Sequence, residues 1–143
     1  MTSLSFSVIG LPAPQGSKRH VGRGIMIESS KAVKPWREAV KAAARAAMAE
    51  AGATAPAVPG AVCLLIHFFL PCPQKYAKKP MSLPQTKPDL SKLIRATEDA
   101  LTDAGAWEDD ARVVDLIVSK WYAGKQLGWD VPGAEITIQA VGS

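Results

Sequence analysis

The chain has 143 residues, of which 48% are hydrophobic and 21% are charged, a composition typical of one globular domain with a proper core. Its net charge of +4 favours a phosphate-rich partner. The apolar run 61–70 is too short to span a bilayer, and the N-terminus lacks the basic and apolar regions of a signal peptide. Only two cysteines occur, which favours a reduced, cytoplasmic setting. The length favours a single domain over residues 1–143, and we expect no membrane partner.

The N-terminal part begins with a strand pattern. Leu4, Phe6 and Val8 alternate with serines, the period of a half-buried strand, which ends at Gly10. Residues 11–24 are rich in glycine, proline and cations, so we interpret them as a loop. A short strand is predicted at about 25–28.

A helix is predicted to begin near Pro35, whose missing N–H costs nothing in a first turn, and to end at Gly52. Its apolar face consists of Trp36, Val40, Ala43, Ala44, Ala47 and Ala51. The cations Arg37, Lys41 and Arg45 recur every four residues and form a stripe on the helix. The stripe is either a solvated face or a contact with DNA.

The apolar run 61–70 is predicted to be a buried strand. Residues 71–88 follow, with five prolines that exclude a helix and with Tyr76 among lysines. This long loop is either a solvated linker or a cationic arm along a nucleic-acid backbone, on which Tyr76 stacks with a base. Its lysines are Lys75, Lys78, Lys79 and Lys87.

A second helix is predicted from Asp89 or Leu90 to a stop at Gly105. Its buried face consists of Leu90, Leu93, Ile94, Thr97, Ala100 and Leu101, and a separate face consists of Ser91, Arg95, Glu98 and Thr102. Alternating apolar residues predict strands over 111–122 and 134–140. These elements predict an α+β domain with a mixed β-sheet of about five strands and two main helices.

Acidic residues flank the second helix, with Asp89 before it and Glu108-Asp109-Asp110 after it. The helix spans roughly 20 Å at about 1.5 Å per residue, and an extended return over 105–110 covers roughly 17–20 Å at about 3.3 Å per residue. We therefore expect Trp107 to pack against the helix and the two clusters to meet. Neighbouring carboxylates are tolerated where a hard cation such as Mg²⁺ lies between them. The pattern thus predicts a metal-dependent nuclease.

Each acidic residue also has a simpler interpretation. Asp89 suits a helix N-terminus, where a carboxylate accepts from free N–H groups. Asp109 and Asp110 suit a turn before a strand, and Arg95 can pair with an acid one turn further on. Only the joint occurrence of these residues in a basic chain favours the metal site.

A zinc site is a further alternative, with Cys63, His67 and Cys72 as ligands. These residues supply three ligands without a good fourth, whereas structural zinc sites take four. We therefore favour buried thiols and a core histidine with a hydrogen-bond partner.

The acidic clusters belong to a series of motifs that covers most of the chain. Gly10-Leu11-Pro12 opens the series and is followed by basic residues. The later motifs are Lys87-Pro88-Asp89-Leu90-Ser91-Lys92, Asp99-Ala100-Leu101-Thr102, Glu108-Asp109-Asp110-Ala111-Arg112-Val113-Val114, and Lys120. The series resembles the RusA family of Holliday-junction resolvases, whose pattern is Lys-Pro-Asp-x-Asp-Asn, an Asp-Ala-Leu segment and Asp-Asp-x-x-Val.

The resemblance implies a homodimeric, Mg²⁺-dependent endonuclease that cuts four-way DNA junctions symmetrically during recombination and repair. Mn²⁺ is expected to substitute for Mg²⁺. A bacterial protein is expected, and whether its gene is cellular, phage or prophage is left open. The cations implied to contact DNA are Lys18, Arg19, Lys75, Lys78, Lys79, Lys87, Lys92, Arg112 and Lys120.

Position by position, the resemblance implies Asp89, Asp110 and Arg95 as catalytic residues, and Asp89, Asp110, Asp109 and Ser91 as metal ligands. Two positions depart from the family pattern. Ser91 stands where the family has a second acid, and its hydroxyl can hold a metal-bound water but adds no charge. Arg95 stands where the family has an essential lysine, and it keeps the charge but cannot donate a proton in the same way.

These departures leave two questions open. Glu108, Glu98 and Asp99 are all candidates to replace the missing acid, and the sequence does not decide among them. If none does, the chain is a junction-binding protein with weak or no cleavage. A restriction-type nuclease is the third alternative, because Pro88-Asp89 and Asp110-Ala111-Arg112 imitate Pro-Asp…(Asp/Glu)-x-Lys, although an arginine replaces the lysine and a helix intervenes.

Overall fold

A computed structural model describes residues 2–16, 18–20, 26–28, 31–79, 82–125 and 129–142, and for 18–20 and 26–28 it describes the backbone alone. The elements are, in chain order, β1 (Ser3–Ile9), β2 (Lys18–His20), β3 (Met26–Glu28), α1 (Val33–Glu50), β4 (Val62–Leu70), α2 (Leu90–Ala104), β5 (Val113–Tyr122) and β6 (Gly133–Ala140). Of the helices in the described ranges, none is long and apolar enough to cross a membrane.

The main sheet has four strands in the order β1-β6-β4-β5. Strand β6 runs antiparallel to both β1 and β4, whereas β4 and β5 are parallel. The predicted α+β class with two helices is confirmed, and the main sheet has one strand fewer than the five expected. The difference arises because β3 does not join this sheet.

The interpretation of 11–24 as a loop throughout is wrong, because β2 lies within it and pairs with β3 in an antiparallel ribbon. A two-stranded ribbon is stabilised largely by cross-strand backbone hydrogen bonds, so it does not require the apolar alternation that identifies a half-buried strand. Composition therefore gave no sign of β2.

Strand β4 lies at the centre of the core. It pairs with strands on both sides, and Leu64, Ile66 and Phe68 on one of its faces are completely buried. On the other face the ring of Phe69 stacks on Trp129 with the centroids 4.6 Å apart. Burial on both faces explains why this strand is apolar almost throughout.

The zinc alternative is not supported by the structure. The Nδ1 atom of His67 lies 2.7 Å from Oγ of Ser119 on the neighbouring strand, and Cys63 is buried. Within the described part of the chain, His, Cys, Asp and Glu side chains form no group of three that could hold a metal ion. His67 is therefore a core histidine with a hydrogen-bond partner.

Helices α1 and α2 are joined by a buried polar contact. Nε1 of Trp36 donates to Oγ1 of Thr97 at 3.1 Å, and the same hydroxyl donates to the Leu93 carbonyl oxygen at 2.8 Å. Both groups of this buried pair are thus satisfied, which avoids the cost of an unpaired buried donor. The contact sets the position of α2 against α1.

The basic stripe on α1 takes part in the same helix–helix contact. Arg37 pairs with Asp99 at 3.2 Å, and Nη2 of Arg45 donates to the carbonyl oxygen of Asp103 at 3.3 Å. Two of its three cations therefore bind α2, so the stripe is not a purely solvated face. A contact of the stripe with DNA stays a prediction.

The end of α2 determines where the late acidic cluster lies. Gly105 adopts a left-handed conformation with φ of 82°, a conformation that glycine adopts without steric cost. Trp107 is 1% exposed, and its Nε1 donates to Oγ1 of Thr102 at 2.7 Å. Trp107 packs against the helix as predicted. The segment 105–110, which was expected to run extended, turns instead, because it completes the C-cap of α2 and then enters a short 3-10 turn over Asp110–Arg112.

Candidate active site

A cleft of about 700 Å³ lies along one face of α2. Ser91, Arg95 and Glu98 line it together, as their spacing of four and three residues on a helix predicts. Asp110 joins them from the turn before β5. The remaining lining residues are Gln15, Gly16, Lys92 and Asp99.

The loop that follows β1 forms one wall of the cleft. The backbone N–H of Gln15 donates to the carbonyl oxygen of Lys92 at 3.0 Å, and the Arg37 guanidinium donates to the Gln15 side-chain oxygen. Arg37 also holds Asp99. The cleft is thus lined by the loop after β1, by α2 and by the turn before β5, and Arg37 of α1 supports it through Gln15 and Asp99. Gln15 and Gly16 were not identified from the sequence. The resemblance of their loop to the opening loop of the RusA pattern was the available signal.

Burial and neighbouring negative charges raise the pKa values of two carboxyl groups in the cleft, Glu98 and Asp99. Partial burial raises the pKa of Glu98, the negative charges of Asp110 and Asp99 raise it further, and Arg95 opposes the shift. Burial also raises the pKa of Asp99, Arg37 lowers it, and Asp110 raises it. The site therefore concentrates negative charge that a cation would relieve.

The chemistry of these donors fits a divalent cation bound in an open site. Asp110, Glu98 and Ser91 offer hard oxygen ligands, which suit Mg²⁺ or Mn²⁺. The described residues do not form a closed cage of three or more acidic, histidine or cysteine ligands. Mg²⁺ does not require one, because it typically takes one or two carboxylates and fills its other positions with water and substrate phosphate.

Asp89 occupies the N-cap position of α2 with an extended backbone, and its side chain makes no capping hydrogen bond. Its carboxylate is exposed and lines a groove beside the cleft. Gln15, Gly16 and Lys92 line both cavities. Asp89 thus lies next to the cleft, and helix capping does not account for its carboxylate.

The other two acids of the late cluster stabilise the turn. Oδ1 of Asp109 accepts from the N–H of Ala111 at 2.7 Å. The turn interpretation therefore describes both residues, since Asp109 caps the 3-10 turn and Asp110 begins it, and only Asp110 also lines the cleft. Glu108 pairs with Arg112 at 2.8 Å and accepts from the N–H of Gly60 at 3.0 Å. Of the three candidates to replace the missing acid, Glu98 and Asp99 lie in the cleft and Glu108 does not line it.

Three of the cations expected to bind DNA lie close to the two cavities. Lys87 lines the groove, and Lys92 lines both the groove and the cleft. Nζ of Lys120 donates to the carbonyl oxygens of Thr86 and Pro88, each at 2.8 Å. Lys120 therefore holds the segment that leads into Asp89.

Two lysines of the 71–88 loop lie against the ring of Tyr76. Tyr76 belongs to a 3-10 turn within the segment from which a helix was excluded. The ammonium groups of Lys75 and Lys79 lie 5.0 and 6.0 Å from the ring centroid, and the ring stacks on Tyr122 at 5.8 Å. Tyr76 thus has an aromatic partner within the protein, and Lys78 is exposed. Lys18 and Arg19 lie in β2, and their side chains are outside the described part of the structure.

Comparison with known proteins indicates the family of this chain. The family model described as "Endodeoxyribonuclease RusA" matches residues 10–139. The chain is also 29% identical, over an alignment of 153 positions that covers 99% of each chain, to the "Uncharacterized protein YqaN" of Bacillus subtilis (strain 168). Because the matched segment runs from the loop that walls the cleft to the last strand, this chain belongs to the RusA family of endodeoxyribonucleases.

Proposed function

We propose that this protein binds four-way DNA junctions as a homodimer and cuts them symmetrically by hydrolysis of a phosphodiester that depends on a divalent cation. The cleft carries the proposal, because Ser91, Arg95 and Asp110 line it together with Glu98. We infer that the reaction serves recombination and repair in the bacterial cytoplasm. Membership of an endodeoxyribonuclease family supports the hydrolytic chemistry.

The residues of the cleft have separate roles in this proposal. Asp110 and Glu98, assisted by the Ser91 hydroxyl, would hold Mg²⁺ or Mn²⁺, and Asp89 would act from the adjoining groove. When bound, the cation supplies a Lewis acid and lowers the pKa of water. Arg95 stabilises the negative charge that develops on the phosphate. It does so as a fixed cation, because arginine stays protonated at every relevant pH.

The alternative is a junction-binding protein without cleavage, since Ser91 lacks the charge of the family acid. We favour the enzyme because Glu98 places a second carboxylate beside Asp110 in the cleft. Titration of Mg²⁺ against a labelled four-way junction separates the two. An enzyme yields paired nicks that depend on the cation, whereas a binder shifts the junction in a gel and leaves it intact at every concentration.

The homodimer is proposed to form through β5. Val114, Leu116 and Ile117 are 61%, 46% and 52% exposed, although they lie on a strand. Among the described strands β5 pairs with β4 alone, so its outer edge offers unpaired backbone groups beside apolar side chains. Such an edge is usually covered, and a two-fold partner suits a substrate with two equivalent strands to cut.

We predict that Ile117→Lys raises the dimer dissociation constant at least about tenfold, because a charge would have to be desolvated in the interface. Sedimentation at several protein concentrations measures the change. Val131→Lys is the matched control, since Val131 is 45% exposed and lies outside β5. An equal effect of both substitutions, or of neither, would contradict the assignment of the interface to β5.

Junction binding should weaken steeply with salt, because cations that contact phosphates release counterions. Neutralising Lys75, Lys78 and Lys79 to glutamine together is predicted to flatten the slope of log K against log salt by about two to three units, at about 0.9 per contact. Lys34→Gln, at an exposed lysine of α1, should change it by less than about one unit. An unchanged slope in the triple variant would mean that these lysines do not touch DNA.

Restoring the family acid should strengthen the site. Ser91 is exposed in the first turn of α2 and lines the cleft, and aspartate suits a first helical turn. We predict that Ser91→Asp raises the cleavage rate at low Mg²⁺ by about tenfold, which corresponds to about 1.4 kcal/mol of activation free energy. The stability of the fold should stay unchanged. If Ser91→Asp cleaves more slowly than the parent at every Mg²⁺ concentration, Ser91 is not a ligand position.

A further inference from the structure

A second cavity, which we call the proline groove, adjoins the catalytic cleft. It encloses about 630 Å³ and is walled by the loop after β1, the end of β4 and the segment before α2. Leu11, Pro12, Pro14, Pro71, Pro73 and Pro84 line most of it, and Lys87, Asp89 and Lys92 also line it. The mechanism proposed above uses only Asp89 from this groove.

The groove and the cleft lie side by side and share a wall. Gln15, Gly16 and Lys92 line both cavities, and the hydrogen bond from the Gln15 N–H to the Lys92 carbonyl oxygen holds the shared wall in place. A nucleotide next to a phosphate bound in the cleft would therefore lie beside the groove.

The lining defines the chemistry of the occupant. Pyrrolidine rings and a leucine present flat apolar surfaces, which favour a flat apolar group. The positive charges of Lys87 and Lys92, two exposed residues of the lining, favour a negative charge beside it. A nucleotide combines a flat base with a phosphate, and the volume falls within the range of small-ligand pockets, about 300–1,000 Å³.

We propose that the proline groove receives one unstacked nucleobase of the DNA strand whose phosphate is cut in the cleft. The inference rests on the proposed function and extends it to substrate selection. A base enters the groove only after it leaves the stack, and that step costs least where the base is unpaired or at a distortion. The groove thereby favours branched DNA over continuous duplex.

A four-way junction with 2-aminopurine at single positions flanking the cut tests this inference, because this base fluoresces more strongly once unstacked. Binding is measured without divalent cation, so that the junction stays intact. Leu11→Ser removes an apolar wall of the groove, and Leu83→Ser is its control. Leu11 and Leu83 are 54% and 55% exposed, but only Leu11 lines the groove.

With the parent protein and Leu83→Ser, we expect fluorescence at one position to rise at least about twofold on binding. With Leu11→Ser the rise should be at most half as large. The junction should bind about five- to tenfold more weakly, the lower part of the range for loss of one base contact. An abasic site at that position should remove the difference in affinity between the two variants.

The inference is overturned if no position brightens, or if Leu11→Ser and Leu83→Ser behave alike on the intact junction. Cleavage by the parent protein in Mg²⁺, assayed on the same junctions, separates this failure from failure of the proposed function. If the parent cleaves but the groove variants do not differ, the function stands and the groove assignment falls. If the parent neither binds nor cuts any junction, both fall.

Discussion

Replacing Asp110 by asparagine is expected to abolish junction cleavage while leaving junction affinity unchanged or higher. Asp110 lines the cleft beside Arg95, so the substitution removes a proposed metal ligand and, with it, a negative charge that faces the scissile phosphate. We expect a loss of at least about 10³-fold in rate, the upper part of the range for removal of one electrostatic contributor at a reacting centre. Single-turnover cleavage of a labelled junction measures the loss, and a gel shift measures affinity.

Two further substitutions test whether the effect of Asp110→Asn is specific to the site. Asp130→Asn, at an exposed acid that lines neither cavity, should cleave at the parental rate. Asp89→Asn should lose cleavage as Asp110→Asn does, without loss of stability, because the Asp89 side chain makes no capping hydrogen bond. Cleavage by Asp110→Asn at near the parental rate in Mg²⁺ would overturn the assignment of the site. Asp89→Ala tests capping, because asparagine caps a helix as well as aspartate does and alanine does not. A loss of stability of about 1 kcal/mol in Asp89→Ala would show that Asp89 caps the helix after all.

The second large effect is expected at Glu98, which we assign as the carboxylate that replaces the missing family acid. Glu98 is partly buried beside Asp110 and Arg95, and Glu98→Gln keeps its shape but removes its charge. We predict a loss of at least about 10²-fold in cleavage at low Mg²⁺, partly recovered at high Mg²⁺, because removal of a ligand weakens binding of the cation before it changes the chemistry. Thermal stability without cation should not fall, since burial disfavours the charged form.

Asp103→Asn is the matched control for Glu98→Gln. Asp103 is an exposed acid on the last turn of the same helix and does not line the cleft, so its substitution should leave the dependence on Mg²⁺ unchanged. If Glu98→Gln retains the parental dependence on Mg²⁺, Glu98 is not a ligand. Asp99→Asn then becomes the decisive variant, although it also breaks the ion pair with Arg37.

Local pattern was sufficient for most of the fold. Apolar alternation identified β1, β5 and β6, and a continuous apolar run identified β4. Helical periodicity identified α1 and α2. These patterns arise because each element buries one face or is buried throughout. The ribbon of β2 and β3 lacks such a pattern. The short strand near β3 was predicted, and β2 was not. The exposure of Val114 and Ile117 on β5 was also unpredictable, because strand propensity does not tell whether a strand has one neighbour or two.

Some residues of the candidate site were also predictable from spacing along one segment, whereas others are placed by contacts between distant segments. Spacing alone grouped Ser91, Arg95 and Glu98, because residues three and four apart share a helix face. By contrast, Gln15 in the wall of the cleft is held by contacts with α1 and α2, which no spacing within one segment encodes. Periodicity likewise did not reveal that the basic stripe on α1 contacts α2.

The sequence by itself determined the α+β class, the two helices and the RusA-like motif series, since these depend on the order of residues along each segment. Only the tertiary structure decided which acids meet. The turn after Gly105 brings Asp110 beside Glu98 and directs Glu108 towards Arg112 and Gly60. The physical reason is that a C-cap, a buried Trp107 and a 3-10 turn together set the path of a few residues. The insertion or deletion of one residue in that path would be expected to present a different carboxylate to the cleft.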